Sequence, residues 1–249
     1  MSSISNESPI SLYLQIKNII TQQIKEGVLS AGNKIPSERE LCEQYNVSRI
    51  TVRQSLNELE KEGLVNKIHG KGTFVAQPKV EQPLVTVTSF QNTLLSKGLK
   101  PKTKFIKYVV LPNSYKISNI LSIPLSEKIV ELTLIGLDDE TPMVVYNSYF
   151  AYDLGVRMQE LAEQASAENR PFSTFDLYER IPELTLGTIS QTFEASIADA
   201  SIAKLLSVKK NTPILIVESI IYTNENLPVE YKTAIYRGDK YKFSMVRKI

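Results

Sequence analysis

Apolar residues at helical spacing predict three short helices near the start of the chain. The first apolar series consists of Leu12, Ile16, Ile19, Ile20 and Ile24. This spacing is typical of a helix with one buried face, and Gly27 is a natural stop. The segment LSAGNKIP that follows is rich in turn-forming residues.

The second and third predicted helices are separated by a very short turn. Ser37 is followed three residues later by Glu40, which is the spacing of a capping box. Asn46 suits the turn, and Ser48 can cap the third helix. The third helix has an apolar stripe made of Val52, Leu56 and Leu59, and it ends near Gly63.

A hairpin completes the first predicted domain. The segment LVNKIHGKGTFVA is β-prone on both sides of a glycine-rich tip. The order helix, helix, turn, helix and hairpin predicts a winged helix-turn-helix over residues 1–76. QPKVEQP at 77–83 has two prolines and no apolar periodicity, which predicts a linker.

From residue 84 to residue 249 the pattern becomes that of an α+β domain. Six β-rich runs share turn signals between them: KFIKYVVL, KIVELTLIGL, MVVYNSYF, TISQTFEASI, PILIVESIIYT and VEYKTAIYR. Helical stretches are predicted at 89–97, 114–121, 154–164, 173–179 and 198–206. We expect a mostly antiparallel sheet with flanking helices.

Composition narrows the classes of protein that fit. The chain of 249 residues has a formal net charge of +2, and the excess lies in residues 1–80, with 10 basic against 8 acidic residues. One cysteine, Cys42, and one histidine, His69, argue against a disulfide framework or a His/Cys metal cluster, so we expect no metal and no cofactor. A secretory signal and a membrane span are also not expected, which favours a cytoplasmic protein without a membrane partner.

The third helix is the main candidate for binding double-stranded DNA. Its first turns carry donors suited to phosphates or base edges: Ser48, Arg49, Thr51 and Arg53. Arg39 could contact DNA beside them. On the wing, His69, Gly70, Lys71 and Gly72 combine close backbone approach with positive charge. The alternative is that Arg49 and Arg53 belong to a solvated helix face, and that His69 is incidental.

These residues resemble a known family. The segments KIPSERE, VSRITVR, LEKEGLV and GKGTFV are similar to the winged helix-turn-helix of the GntR superfamily of bacterial transcription regulators. The resemblance adds Ser37 and Thr73 to the candidate DNA-binding residues. DDETPMVVYNSYF, STFDLYE and VEYKTAIYRGDKYKF resemble the UTRA effector domain of the HutC branch, which has a chorismate-lyase-like fold.

The resemblance implies a ligand-responsive regulator, most often a repressor. Such a protein is a homodimer that binds an inverted-repeat operator, and a small metabolite in the UTRA domain, such as a sugar or sugar phosphate, modulates that binding. Two recognition helices one DNA turn apart would read such a repeat. Family position suggests effector contacts at seven residues: Ser89, Phe90, Ser173, Thr174, Glu230, Tyr231 and Tyr236.

Structural roles remain an alternative for several of these residues. Ser173 could be a helix cap, Glu230 a solvated strand residue and Tyr236 a core aromatic. Two arginines and an acidic residue that many phosphosugar-sensing UTRA domains share correspond here to Leu134, Gly136 and Tyr146. Either the ligand is not a phosphosugar, or other side chains supply the charge, for instance Lys104, Lys107 or Lys232. A shift of one residue in this alignment would place the strand residues on the opposite face.

Two other functions compete with the regulator. A lyase-like enzyme is conceivable from the fold resemblance, but the second domain has no histidine, no cysteine and no nucleophile elbow. A winged helix without a small-molecule effector is the second alternative. We expect a regulator without enzymatic activity.

Overall fold

The chain divides at Pro78. The computed structural model describes residues 4–5, 8–68, 70–77, 79–84 and 88–248, and it forms two units, Met1–Pro78 and Lys79–Ile249. Within these described ranges, none of the helices is long and apolar enough to span a membrane.

The first unit has the predicted order of elements. Its helices and strands are α1 (Leu12–Lys25), α2 (Glu38–Tyr45), α3 (Arg49–Lys61), β1 (Val65–Ile68) and β2 (Gly72–Val75). The strands β1 and β2 pair antiparallel, as the predicted hairpin requires. Val52, Leu56 and Leu59 are buried against Ile16 and Ile20 of α1, so the predicted apolar stripes form the core of this unit.

Local interactions fix where α2 begins and where it ends. The backbone N–H of Ser37 donates to Glu40 Oε2 at 2.7 Å, and the backbone N–H of Glu40 donates to Ser37 Oγ at 3.3 Å. This reciprocal pair is the predicted capping box. Asn46 adopts a left-handed conformation with φ 51°, which ends α2 and makes the tight turn to α3.

The second unit is a six-stranded antiparallel sheet with helices and a small second sheet. Its elements are β3 (Val80–Pro83), α4 (Phe90–Leu95), β4 (Pro101–Pro112), α5 (Tyr115–Leu121), β5 (Lys128–Asp138), β6 (Thr141–Ala151), α6 (Tyr152–Ala167), α7 (Thr174–Tyr178), β7 (Leu186–Ile197), α8 (Ala200–Leu205), β8 (Pro213–Thr223), β9 (Pro228–Arg237) and β10 (Tyr241–Ser244). The strand order in the large sheet is β4-β5-β6-β9-β8-β7. All five predicted helical stretches and all six predicted β-rich runs are present.

The predicted linker is wrong for Val80–Pro83. This segment forms β3, which pairs in parallel with β10 near the end of the chain. The backbone N–H of Val80 donates to the carbonyl oxygen of Lys240 at 2.8 Å. The partner strand is about 160 residues away in sequence, so no local pattern around the two prolines reports the pairing.

Gly155 allows α6 to pack closely on β5. A Cβ atom at Gly155 would lie 2.3 Å from Cβ of Val130, which is itself fully buried. We expect Gly155→Ala to lower the free energy of unfolding by about 2 kcal/mol, because overpacking costs roughly 1–3 kcal/mol and exceeds the gain in helix propensity. Urea denaturation measures this. The exposed Gln164→Ala on the same helix serves as the control, and equal stability of the two variants would contradict the packing argument.

Candidate functional site

The N-terminal tip of α3 presents a compact group of exposed side chains. Ser48 caps the helix, because its Oγ accepts a hydrogen bond from the backbone N–H of Thr51 at 3.2 Å. The two hydroxyl groups of Ser48 and Thr51 lie 2.9 Å apart. Arg49 and Arg53 are both exposed on the face opposite the core. The cap thus holds the helix start in place while the two arginines point into solvent.

The arginines differ in their present partners. Arg53 Nε donates to Glu38 Oε2 at 2.8 Å, and Arg39 Nε lies 3.2 Å from Glu43 Oε1. Exposed pairs of this kind contribute about 1 kcal/mol or less, so phosphates or base edges can replace the carboxylates. Within the described residues, Arg49 has no carboxylate partner within 4 Å. Of these three arginines, Arg49 is therefore the most available to an anionic ligand.

Ile50 is a surface residue that the sequence patterns did not single out. Its side chain is 79 % exposed between Arg49 and Thr51. A large apolar side chain in this position is suited to contact a thymine methyl group in the major groove. The sequence could have indicated this exposure, because Ile50 lies outside the buried stripe of Val52, Leu56 and Leu59.

The turn of the wing requires a positive φ angle, which Gly70 supplies. Gly70 has φ 74°, and the backbone N–H of Lys71 closes the turn by donating to the Ile68 carbonyl oxygen at 3.0 Å. The Lys71 side chain is exposed. Thr73 accepts a hydrogen bond from the backbone N–H of Ile35 through its carbonyl oxygen at 2.9 Å, which ties the wing to the chain before α2. His69 lies outside the described residues.

These positions define the candidate DNA-binding surface of the first unit. The cap roles of Ser37, Ser48 and Thr51 are structural in the free protein. Contacts of these residues with DNA remain predictions, as do those of Arg39, Arg49, Arg53, Gly70, Lys71 and Thr73.

The second unit contains a pocket bounded by the large sheet, α4, α7 and β3. Its empty volume, which includes space open to solvent, is about 810 Å³. The lining residues are Gln82, Pro83, Leu84, Thr88, Ser89, Phe90, Leu134, Tyr146, Ser173, Thr174, Phe175, Ile189, Gln191, Val217, Ser219, Lys232, Ala234, Tyr236 and Phe243.

Five of the seven predicted effector residues line this pocket. They are Ser89, Phe90, Ser173, Thr174 and Tyr236. Tyr231 is not a lining residue, because strand alternation turns its side chain to the other face of β9, where its ring stacks on Tyr149. Glu230 is also not a lining residue: it is on the pocket side of the sheet, but its side chain is fully buried.

Lys232 is the charged residue that reaches the pocket. Its Nζ donates to Thr174 Oγ1 at 2.8 Å, lies 3.3 Å from Glu230 Oε1 and is 4.6 Å from the centre of the Phe175 ring. Lys232 is thus the one of the three candidate lysines that can supply charge to a ligand in this pocket. The other two, Lys104 and Lys107, are not lining residues, and Lys107 Nζ pairs with Glu131 Oε2 at 2.7 Å.

Ser173 is held by its own helix. Its backbone N–H donates to Asp176 Oδ2 at 2.7 Å, and its hydroxyl group also donates to this oxygen. The buried Gln91 of α4 donates to the same carboxylate. A bound anion at the start of α7 would therefore have to compete with Asp176 for these hydrogen-bond donors.

Two tyrosines give the pocket protonated hydroxyl groups at neutral pH. Burial raises the pKa of Tyr236 to about 12. Burial, together with the neighbouring Tyr236, raises the pKa of Tyr146 well above its usual value. Their rings meet edge to face, with centres 6.3 Å apart. The Tyr146 hydroxyl group donates a hydrogen bond to that of Tyr236, so the Tyr236 hydroxyl proton remains available to a ligand.

The positions expected to hold phosphate-binding arginines are apolar. Leu134 is buried in the pocket wall, opposite Tyr146 on the paired strand. A Cβ atom at Gly136 would lie 2.7 Å from Phe90 Cε1 and 2.8 Å from Val144 Cγ1. Any side chain at Gly136 would therefore displace Phe90.

Two family models match the chain, one for each unit. Residues 12–75 match the model described as "Bacterial regulatory proteins, gntR family", and residues 96–242 match that of the UTRA domain. The first match includes the tip of α3 and the wing. The second includes most of the pocket-lining residues.

Relatives and solved structures agree with these matches. The chain is 33 % identical to the HTH-type transcriptional repressor NagR of Bacillus subtilis, covering 97 % of this chain and 96 % of NagR. It is 25 % identical to the mannosyl-D-glycerate transport/metabolism system repressor MngR of Escherichia coli, over 94 % and 95 % of the two chains. The crystal structure of PhnF from Mycobacterium smegmatis has the same fold, with a TM-score of 0.61 at 22 % identity, over 94 % and 99 % of the two chains.

Proposed function

Because this chain belongs to the GntR family of bacterial regulatory proteins, in the HutC branch with a UTRA domain, we propose that it is a ligand-responsive transcriptional repressor. It binds an inverted-repeat operator as a homodimer in the cytoplasm. A small metabolite in the UTRA pocket, a sugar or sugar phosphate, changes its affinity for that operator.

The exposed tip of α3 is the observation that carries the DNA-binding part of the proposal. Arg49, Ile50 and Arg53 extend from a capped helix start, and a B-DNA major groove admits one α-helix. In helix-turn-helix proteins the second helix of the motif contacts base edges with its N-terminal residues. Arg49 and Arg53 would meet guanine bidentately or bind phosphate, whereas Ile50 would contact a thymine methyl group.

The edge of the large sheet supports the homodimer. Strand β7 is an edge strand of 12 residues, and most of its side chains are exposed. Phe193 is 38 % exposed and Ile197 is 58 % exposed. A long edge strand with exposed apolar residues is a surface that a second chain can cover. Dimerisation would also double the number of bases read, since each copy contributes one recognition helix.

The pocket supports the effector part of the proposal. Apolar and neutral polar groups make up its lining apart from Lys232, as is common in sites for small metabolites. MngR, a relative of similar length, is named for a mannosyl-D-glycerate system, which agrees with a carbohydrate as the class of effector. An effector changes DNA affinity by binding two states of the protein unequally.

A library of sugars and sugar phosphates, screened against the full chain, tests the effector function. A compound that binds the folded pocket must raise the melting temperature, and the same compound is expected to change retention of the operator. Ala234→Met, which fills part of the pocket, should abolish both effects and leave operator binding intact. If every compound that changes operator binding does so equally in Ala234→Met, the pocket is not the effector site.

A further inference from the structure

The positive charge of Lys232 in the wall of the effector pocket is already balanced by the carboxylate of Glu230. Of the described residues that line the pocket, Lys232 is the single one with an ionised side chain. Its ammonium group is occupied by Thr174 Oγ1 at 2.8 Å and by Glu230 Oε1 at 3.3 Å. The side chains of Lys232 and Glu230 are 9 % and 0 % exposed. The pair is therefore net neutral and shielded from solvent.

Among the described residues, Lys232 is the cation that balances the charge of Glu230, and the Tyr178 hydroxyl group is a second polar neighbour of this carboxylate. Within the part of the chain that the structure describes, neither carboxylate oxygen of Glu230 has a hydrogen-bond partner. Burial, and then the nearby negative charge of Glu230, raise the pKa of the adjacent Tyr178 far above its usual value. Without Lys232, the buried carboxylate of Glu230 would be an uncompensated charge, so the ion pair with Lys232 is strongly favoured.

A phosphate group entering the pocket would meet this arrangement unfavourably. It would give up its hydration shell and approach a lysine with a carboxylate directly behind it. Among the described lining residues no arginine compensates, and Leu134 adds only an apolar side chain to the wall. The charge of the ligand would therefore remain unbalanced.

The remaining wall suits an uncharged ring with hydroxyl groups. Phe90, Tyr236 and Phe243 offer apolar ring faces, and Ser89 and Gln191 offer neutral polar groups. Such sites orient a ligand by a few hydrogen bonds among apolar contacts. The hydroxyl group of Tyr236 stays protonated because burial raises its pKa to about 12.

We propose that this pocket takes an uncharged polyhydroxylated ligand, of the class of non-phosphorylated sugars, and that Glu230 excludes phosphorylated ligands by neutralising Lys232. The inference rests on the proposed repressor function, whose effector it narrows. It makes Glu230 a specificity-determining residue although it does not line the pocket.

Inorganic phosphate is the probe for this proposal, with the full chain and chloride at equal ionic strength as the reference. We expect no change in the melting temperature of the wild type. In Glu230→Gln, where the lysine charge is no longer matched, about 20 mM phosphate should raise the melting temperature by about 3 °C, as for a millimolar site. Each protein is compared with itself in chloride, because the substitution alone lowers stability.

A second variant protects the test against misfolding of the first. Gln191→Arg adds a cation at an exposed lining position and keeps the buried pair, so it should also gain a response to phosphate. The proposal is supported if phosphate leaves the melting temperature of the wild type unchanged and raises that of Glu230→Gln. If Glu230→Gln does not fold, a phosphate-dependent rise in the melting temperature of Gln191→Arg takes its place. A wild type that responds as strongly as the variants would overturn the proposal, and so would a folded Glu230→Gln that stays silent.

Operator binding measured without phosphate separates this inference from the function on which it rests. Failure of the wild type to bind any operator would remove the repressor function and leave the phosphate result unaffected. A phosphate response of the wild type, with operator binding intact, would remove the uncharged-ligand proposal alone.

Discussion

Simultaneous replacement of Arg49 and Arg53 with alanine is expected to weaken operator binding about 100-fold, because each good bidentate base contact contributes roughly 1–3 kcal/mol. Both side chains are exposed at the capped start of α3. The substitutions remove one exposed ion pair, Arg53 with Glu38, so the unit should keep its fold. Fluorescence anisotropy with a labelled operator gives the affinity, and circular dichroism checks the fold.

The matched control removes the same amount of charge elsewhere in the first unit. Lys25 and Lys61 are exposed at the C-terminal ends of α1 and α3, and Lys25→Ala/Lys61→Ala should change affinity much less. Equal losses in the two double variants would mean that overall charge, rather than the tip of α3, holds the DNA.

Lys232→Met should strongly destabilise the second unit. It leaves Glu230, which is 0 % exposed, as a buried and unpaired carboxylate. Breaking a buried ion pair from one side costs about 3–5 kcal/mol. That loss should lower the melting temperature by roughly 10 °C in a unit of this size, which differential scanning calorimetry can measure.

The double variant Glu230→Gln/Lys232→Met distinguishes the charge effect from lost packing. Without a buried charge to compensate, it should recover most of the stability that Lys232→Met loses. If the double variant is as unstable as the single one, contacts of Lys232 with Thr174 and Phe175 account for the loss instead.

The first unit could be predicted from the sequence almost completely because its signals are local. The capping box of Ser37 and Glu40, the left-handed Asn46 and the cap at Ser48 each act within a few residues. The strand β3 could not be predicted in this way. It forms because it pairs with β10, which is far away in the sequence, whereas the segment QPKVEQP that contains it has two prolines and is typical of a linker.

The pocket could be predicted in part. Family position identified Phe90, Ser173 and Tyr236, but it could not tell the two faces of β9 apart. Strand alternation alone could have grouped Lys232 with Tyr236 and separated both from Tyr231. The pairing of Lys232 with the buried Glu230 depends on how α7 covers the sheet, which no spacing in the sequence reports.

Selection of genomic fragments on the purified full chain at near-physiological salt tests the central claim most directly. We predict a discrete inverted repeat upstream of a few genes for transport or catabolism, with a spacing that places two recognition helices about one DNA turn apart. Diffuse enrichment that disappears as salt rises would show that the arginines hold phosphate without reading sequence. That result would contradict the assignment of this chain as an operator-specific repressor.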